Sequence, residues 1–242
     1  MSWSGGKDST ATIILAHEMG IQISGIVFAE VMYDRFRKIS GENPVMMDFI
    51  YRAEEKFQDW GFPVYHLRSD KTDYLTIFHH VIQRARKHPE NTGKLHGFPY
   101  AGNCTVRRDC KLAVIDKFLR ERFPDCHMHV GICSDEERRL QRLYKAPGRS
   151  SLLSQYGYTQ KMTTDLCRSY GLLSPAYDIF GCSRGGCWMC EFAKMKEHQL
   201  IKDSMPDVWE EFVSLESLPN LAMDKWSART KETLKERNAL LL

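Results

Sequence analysis

Short apolar runs alternate with longer amphipathic stretches through the first seventy residues. Met1 to Ser4 has the character of the end of a very short first strand, followed by a glycine turn at Gly5 and Gly6. From Ser9 the stretch STATIILAHEMG carries apolar residues at helical spacing and stops at Gly20, a natural helix terminator. ISGIVFAE is a short apolar run rich in branched residues, which predicts a buried strand. After a polar excursion through GENP, VMMDFIYRAEEKFQDWG reads as a helix closing at Gly61, and FPVYHLRS as a third strand. This order predicts right-handed crossovers and an α/β fold with a mainly parallel sheet covered by helices on both faces.

The pattern loosens afterwards. DYLTIFHHVIQRARKHPE predicts a helix ending near Pro89, and NTGKLHGFPYAGNCT has the glycine, proline and asparagine content of a long loop. CKLAVIDKFLRERFP is an amphipathic helix with a proline stop. CHMHVGICSDEERRL gives another short strand with an acidic turn at its carboxyl end, where open parallel sheets gather ligands. Tyr144 to Tyr158 reads as loop, TQKMTTDLCRSYG as a helix, and LLSPAYDIFGCSRGGCWMC as an irregular segment. Two helical patterns, around Pro206 to Leu215 and Asp224 to Leu234, finish the chain.

Bulk properties narrow the class. The 242 residues suffice for one main domain, and a formal charge of +3 is too small to imply nucleic acid by itself. The sequence contains no run of eighteen apolar residues and no basic-then-apolar leader, so the expected location is the cytoplasm, away from the membrane. In that compartment eight cysteines point to metal or redox chemistry before disulfides, with Cys126, Cys133 and Cys167 expected as plain core residues.

Three segments carry candidate chemistry. In SGGKDS, the glycines allow backbone amides to approach an anion at the start of a helix, Lys7 can neutralise phosphate charge, and Ser9 offers a hydroxyl. This is not the GxxxxGK[ST] loop, since the lysine follows two adjacent glycines directly. In GICSDEERRL, Asp135 and Glu136 follow a strand with Arg139 one turn on; a helix start rich in acids is the plainer reading of the same residues. In CSRGGCWMC, Cys187 and Cys190 stand close enough to ligate one metal centre, zinc or iron-sulfur. Further ligands would come from Cys182, or from Cys104 and Cys110 upstream.

SGGKDS resembles the PP-loop of the ATP pyrophosphatase and adenine nucleotide alpha-hydrolase-like superfamily, and within it the phosphoadenosine phosphosulfate (PAPS) reductase-like branch. Phe28-Ala29-Glu30 falls where that family ends its second strand near the nucleotide. Gly131 to Leu140 is similar to its glycine, Asp-Glu and arginine segment, and Tyr177 to Cys190 to its aromatic, arginine and paired-cysteine segment. The resemblance implies an adenine nucleotide, ATP with Mg2+, held by Ser4, Gly5, Gly6, Lys7, Ser9, Phe28, Glu30, Gly131 and Arg139. It implies chemistry at the alpha-phosphate, with Lys7, Asp8, Asp135, Glu136 and Arg184 as catalytic candidates. It also implies a [4Fe-4S] cluster on cysteines drawn from Cys104, Cys110, Cys182, Cys187 and Cys190, with a structural Zn2+ as the alternative. Iron-sulfur members of the branch carry two adjacent cysteines in the first half of the site, and this chain does not.

The reading that follows is an ATP-dependent enzyme releasing pyrophosphate by adenylylation, coupled to sulfur transfer through the cluster. Reduction of PAPS or adenylyl sulfate ranks second, because no cysteine follows Cys190 to act as the tail nucleophile. A non-catalytic nucleotide sensor and an RNA-binding module are further alternatives; Arg84, Arg86, Lys87 and His88 form a basic run suited to the latter. Arg107, Arg108 and Lys111 add cations near Cys104, and Trp188 could stack on adenine, shield a cluster or fill the core. The expected domain layout is 1–200 for the nucleotide-binding domain with its cysteine site and 201–242 for a helical extension packed on it. Expected partners are the nucleotide, a small-molecule or RNA acceptor and an electron- or sulfur-donor protein; a homodimer is compatible with the sequence.

Overall fold

The computed structural model describes residues 1–99, 104–182, 185–227 and 231–242. It is an α/β protein of two compact units interleaved along the chain: 1–29, 45–67 and 114–185 form the first, and 30–44, 68–113 and 186–242 the second.

The first unit is built on a small parallel sheet in the order β1 (Ser2–Trp3), β2 (Ile26–Glu30), β5 (Val64–Arg68). Ser2 pairs with Val27 and Trp3 with Phe28. Between β1 and β2 runs α1 (Lys7–Glu18), buried from Ser9 to Ala16 and packed against α6 (Leu152–Gln155) and α7 (Gln160–Ser169). α2 (Pro44–Asp59) leads into β5 and buries Phe49 and Phe57, whose rings lie 6.5 and 5.2 Å from that of Trp3. The predicted first two strands, two helices and third strand are all present; β2 is buried throughout, whereas β5 is half-buried.

After α4 (Ala113–Arg122), the short strand expected around CHMHV is β6 (Met128–His129). It pairs in parallel with β7 (Arg149–Ser150), inside the stretch expected as loop. α5 (Glu137–Leu143) follows the acidic turn, and α8 (Pro175–Asp178) adds one turn to the segment expected as irregular.

The second unit holds features that periodicity misassigns. GENP is preceded by an antiparallel pair, β3 (Met32–Asp34) with β4 (Ile39–Ser40). Its turn is made by Asp34, whose carboxylate accepts from the Phe36 and Arg37 amides, and by Lys38 at φ +58. The helix expected to end near Pro89 stops at Phe78: α3 is Tyr74–Phe78. Val81 instead bridges Leu95, and Ile82 exchanges backbone bonds with Gly93 and Lys94, so extended pairing of two branched residues overrides helical spacing. α9 (Met195–Ser204) has no counterpart among the predicted elements, and α10 (Pro206–Ser214) matches its prediction. The final helix is displaced: α11 spans Leu234–Ala239, because a capping box of Thr233 and Glu236 sets its start.

Candidate functional site

In the first unit, the glycine loop is shaped by its own side chains. Gly5 sits at φ +70, a conformation that favours glycine. Ser9 Oγ donates to the Gly6 carbonyl at 2.9 Å and accepts from the Ser4 amide at 3.2 Å, which closes the loop on itself. Trp3 Nε1 donates to Thr10 Oγ1 at 2.9 Å, pinning the buried start of α1. Gly6 is the N-cap and supplies no side chain to the helix start; the first amide of α1, Lys7 N, donates instead to the Tyr177 hydroxyl at 3.3 Å.

Against this loop lies the segment containing Gly131. A Cβ on Gly131 would stand 2.5 Å from the Ser9 nitrogen and 2.6 Å from the Asp8 carbonyl carbon, so only glycine fits. Cys133, two residues on, points its Sγ to Asp8 Oδ1 at 3.3 Å. Thr163 of α7 donates to the same oxygen at 2.9 Å, and the Lys7 ammonium pairs with it as well. Lys7 Nζ also reaches Thr163 Oγ1 at 3.3 Å. Burial and the Asp8 carboxylate push the Cys133 thiol up to about 12, so it stays protonated beside the acid. Asp8, Cys133 and Glu136 bring their ligand atoms within 4.8 Å of one another, the one such trio of His, Cys, Asp or Glu among the described residues.

The other acids divide. Glu136 Oε2 accepts from the Cys133 amide at 3.0 Å, while Oε1 pairs with Arg139. Asp135 turns away and accepts from the Gln160 amide at 3.3 Å, at the start of α7. Phe28 is fully buried, its ring 5.4 Å from Trp3 and 5.0 Å from His66, so its side chain belongs to the core. Cys182 lies in this unit, and Arg184 lies outside the described residues.

The second unit contains Glu30, buried and paired with Arg68 at 2.6 Å, and the remaining candidate cysteines. The Cys187–Cys190 loop is fixed by four bonds. Trp188 N donates to the Gly41 carbonyl, Trp188 Nε1 to the Ser40 carbonyl, His198 Nε2 to the Trp188 carbonyl and Trp226 Nε1 to the Met189 carbonyl, at 2.9 to 3.1 Å. Trp188 is fully buried in the core of this unit.

Cys104, Cys187 and Cys190 all lie within electrostatic reach of the Tyr74 hydroxyl, and Cys104 and Cys187 within reach of Lys111. Burial alone would lower the Lys111 ammonium, but its 2.9 Å bond to Glu42 and the nearby thiols hold it raised. Burial drives the Cys187 thiol well above its ordinary range, with the Lys111 charge opposing. Cys110 is buried on a π-helical turn, Arg107–Leu112, where burial and Asp73 push it up to about 12. Among the described residues, no three of these thiols come within 4.8 Å of one another.

Sequence reasoning misses Thr163, Tyr177 and His198. Thr163 sits in an ordinary amphipathic helix and carries no local signal, whereas Tyr177 opens the aromatic segment already noted. Of the three cysteines expected in the core, Cys133 and Cys167 are buried; Cys126 is exposed, because it falls in the turn that ends α4. The Arg84 to His88 run is solvent-exposed apart from Ala85. No helix among the described residues is long and apolar enough to cross a membrane. No family model matches the chain, and no curated protein matches it.

Proposed function

We propose that the chain is an adenine-nucleotide-binding enzyme of the PP-loop, PAPS reductase-like type that acts at the alpha-phosphate of ATP and releases pyrophosphate. The observation that carries this is the packing of Gly131 and Cys133 onto Asp8 and Ser9, which joins two segments singled out for nucleotide chemistry across 125 residues of chain. The finer fold belongs to the same reading: a doubly covered parallel sheet of the adenine nucleotide alpha-hydrolase-like kind.

In this reading the first-turn amides of α1 and the Lys7 ammonium stabilise charge moving onto phosphoryl oxygens. Lys7 exchanges its present partners, Asp8 and Thr163, for phosphate oxygens. Mg2+ is bound through one or two carboxylates plus substrate phosphates, and Asp8 and Glu136 are the oxygen donors suited to that task. Arg139 orients Glu136, and Ser4 and Ser9 keep the loop shaped.

Cys104, Cys187 and Cys190 would hold a [4Fe-4S] cluster, with Cys110 beside Cys104. Their donor set is soft, which suits thiolate-bound iron-sulfur or zinc. When bound, the cluster supplies electron- or sulfur-handling chemistry. The chain's part is to hold the CxxC loop rigid and to balance thiolate charge with Lys111. The acceptor is a small molecule or an RNA.

The test is pyrophosphate and AMP release from MgATP across candidate acceptors, with Lys7→Gln as control, and iron, sulfide and zinc analysis after anaerobic purification. Acceptor-dependent pyrophosphate release lost in Lys7→Gln supports the reading. Saturable ATP binding with no release would make the chain a sensor, and tightly held zinc without sulfide would remove the cluster.

A further inference from the structure

We propose that Tyr177 is a phosphate-contacting residue of the glycine loop: its hydroxyl takes the backbone donor that a phosphate oxygen would take, and donates to that oxygen once nucleotide binds. This rests on the nucleotide reading above and adds to it a residue from outside the loop.

Lys7 N is the first amide of α1, and like every first-turn amide it lacks an intrahelical acceptor. It donates to Tyr177 Oη at 3.3 Å, across 170 residues of chain. The same hydroxyl stands 3.4 Å from where a Cβ of Gly6 would be. The oxygen therefore sits over the Gly6–Lys7 step, where backbone donors and the helix dipole favour an anion. A neutral oxygen accepting from that amide stands in, chemically, for a phosphate oxygen.

The placement is built from below. Pro175 starts α8, Ser174 Oγ accepts from the Ala176 amide, and Ser174 and Ala176 are buried. Ser174 Oγ also donates to Met46 Sδ at 3.2 Å, which ties the turn to α2. Tyr177 is thus held at its backbone, and the residue is half-buried. The other hydroxyls at the loop are committed elsewhere: Ser9 to Gly6 and Ser4, and Thr163 of α7 to Asp8.

A phenol both accepts and donates. Tyr177 here accepts from Lys7. A charged phosphate oxygen competes for that amide with the advantage of a charge-assisted bond, and the displaced phenol turns its proton to the same oxygen. Burial holds the hydroxyl above its ordinary range, which keeps that proton in place.

The experiment is calorimetric titration of the full chain and of Tyr177→Phe with MgATP and with inorganic pyrophosphate. The variant keeps the ring and loses only the hydroxyl. Both ligands are expected to bind it roughly tenfold or more weakly, as for loss of a hydrogen bond to a charged group. Unchanged affinity overturns the proposal, and so does tighter binding, which would make the hydroxyl a competitor of phosphate. If Tyr177→Phe does not fold, 3-fluorotyrosine at position 177 replaces it: its 19F resonance is expected to move on adding pyrophosphate, and an unmoved resonance overturns the contact. A natural chain that binds neither ligand removes the nucleotide reading and this proposal together; one that binds both while the variant is unchanged removes only the role of Tyr177.

Discussion

Gly131 lies so close to Ser9 that a methyl group on it would stand 2.5 Å from the Ser9 amide nitrogen. The obstacle is backbone on both sides, since the Asp8 carbonyl carbon and Ser9 Cα would be met at 2.6 and 2.7 Å, and neither can swing aside. Gly131→Ala is therefore expected to force the two segments apart, at a cost of about 2 kcal/mol or more. Urea unfolding of the two proteins measures it. A loss below about 0.5 kcal/mol would mean that the segments are not packed this way.

Tyr74 presents the opposite case, a polar atom with too little around it. Its ring is buried, stacked on Tyr33 at 5.6 Å and edge-on to Phe212, but its hydroxyl has no hydrogen-bond partner among the described residues. An unsatisfied buried hydroxyl costs free energy, and phenylalanine keeps the ring contacts without it. Tyr74→Phe is expected to stabilise the metal-free chain by roughly 1 kcal/mol in urea unfolding. Destabilisation of that size would reveal a partner for the hydroxyl.

How far the sequence can be read depends on how local each cause is. α1, α2 and β2 are legible because their apolar runs are buried where they stand. The end of α3 is not, since Val81 and Ile82 take their conformation from Leu95, Gly93 and Lys94. The β3–β4 turn is hidden because Lys38 adopts a positive φ where glycine or asparagine would have announced it. At the site, Gly5, Lys7 and Gly131 can be named from motif context, but Asp135 cannot be separated from Glu136. Only the fold sends Asp135 to the Gln160 amide and Glu136 to Cys133. Thr163 acts through a contact across a long stretch of chain and His198 through one to a loop ten residues away, which no local pattern records.

The cysteines should differ sharply in reactivity. Cys133 and Cys167 are buried and raised to about 12, chiefly by burial and then by Asp8, and Cys110 is raised to about 12 by burial and then by Asp73. At pH 8 a thiol of that kind is thiolate roughly one part in ten thousand, and thiolate is the reactive form. Cys126 is exposed. Iodoacetamide at pH 8, followed by peptide mass spectrometry, is expected to label Cys126 within minutes and to leave Cys110, Cys133 and Cys167 unmodified until the chain is unfolded. Early labelling of Cys133 would contradict its placement against Asp8.

His198 ties stability to pH. It is fully buried, its Nε2 donates to the Trp188 carbonyl at 2.9 Å, and its ring lies 5.1 Å from that of Trp209 and 5.2 Å from that of Trp226. Burial lowers it to about 4, the Trp188 bond opposing and Arg237 reinforcing the shift. A histidine lowered on folding must stay neutral to keep the fold. Its contribution is complete above the unfolded value near 6.5 and is lost as pH falls from there towards 4. Between pH 7.5 and 4.5 the loss is roughly 2 to 3 kcal/mol, superimposed on whatever the other groups contribute. His198→Gln, whose amide can still donate to the Trp188 carbonyl, removes the titration and isolates it. Urea unfolding at the two pH values should show the natural chain losing about 2 to 3 kcal/mol more than His198→Gln. Equal losses would mean that His198 is protonated without cost and is not held between the two tryptophans.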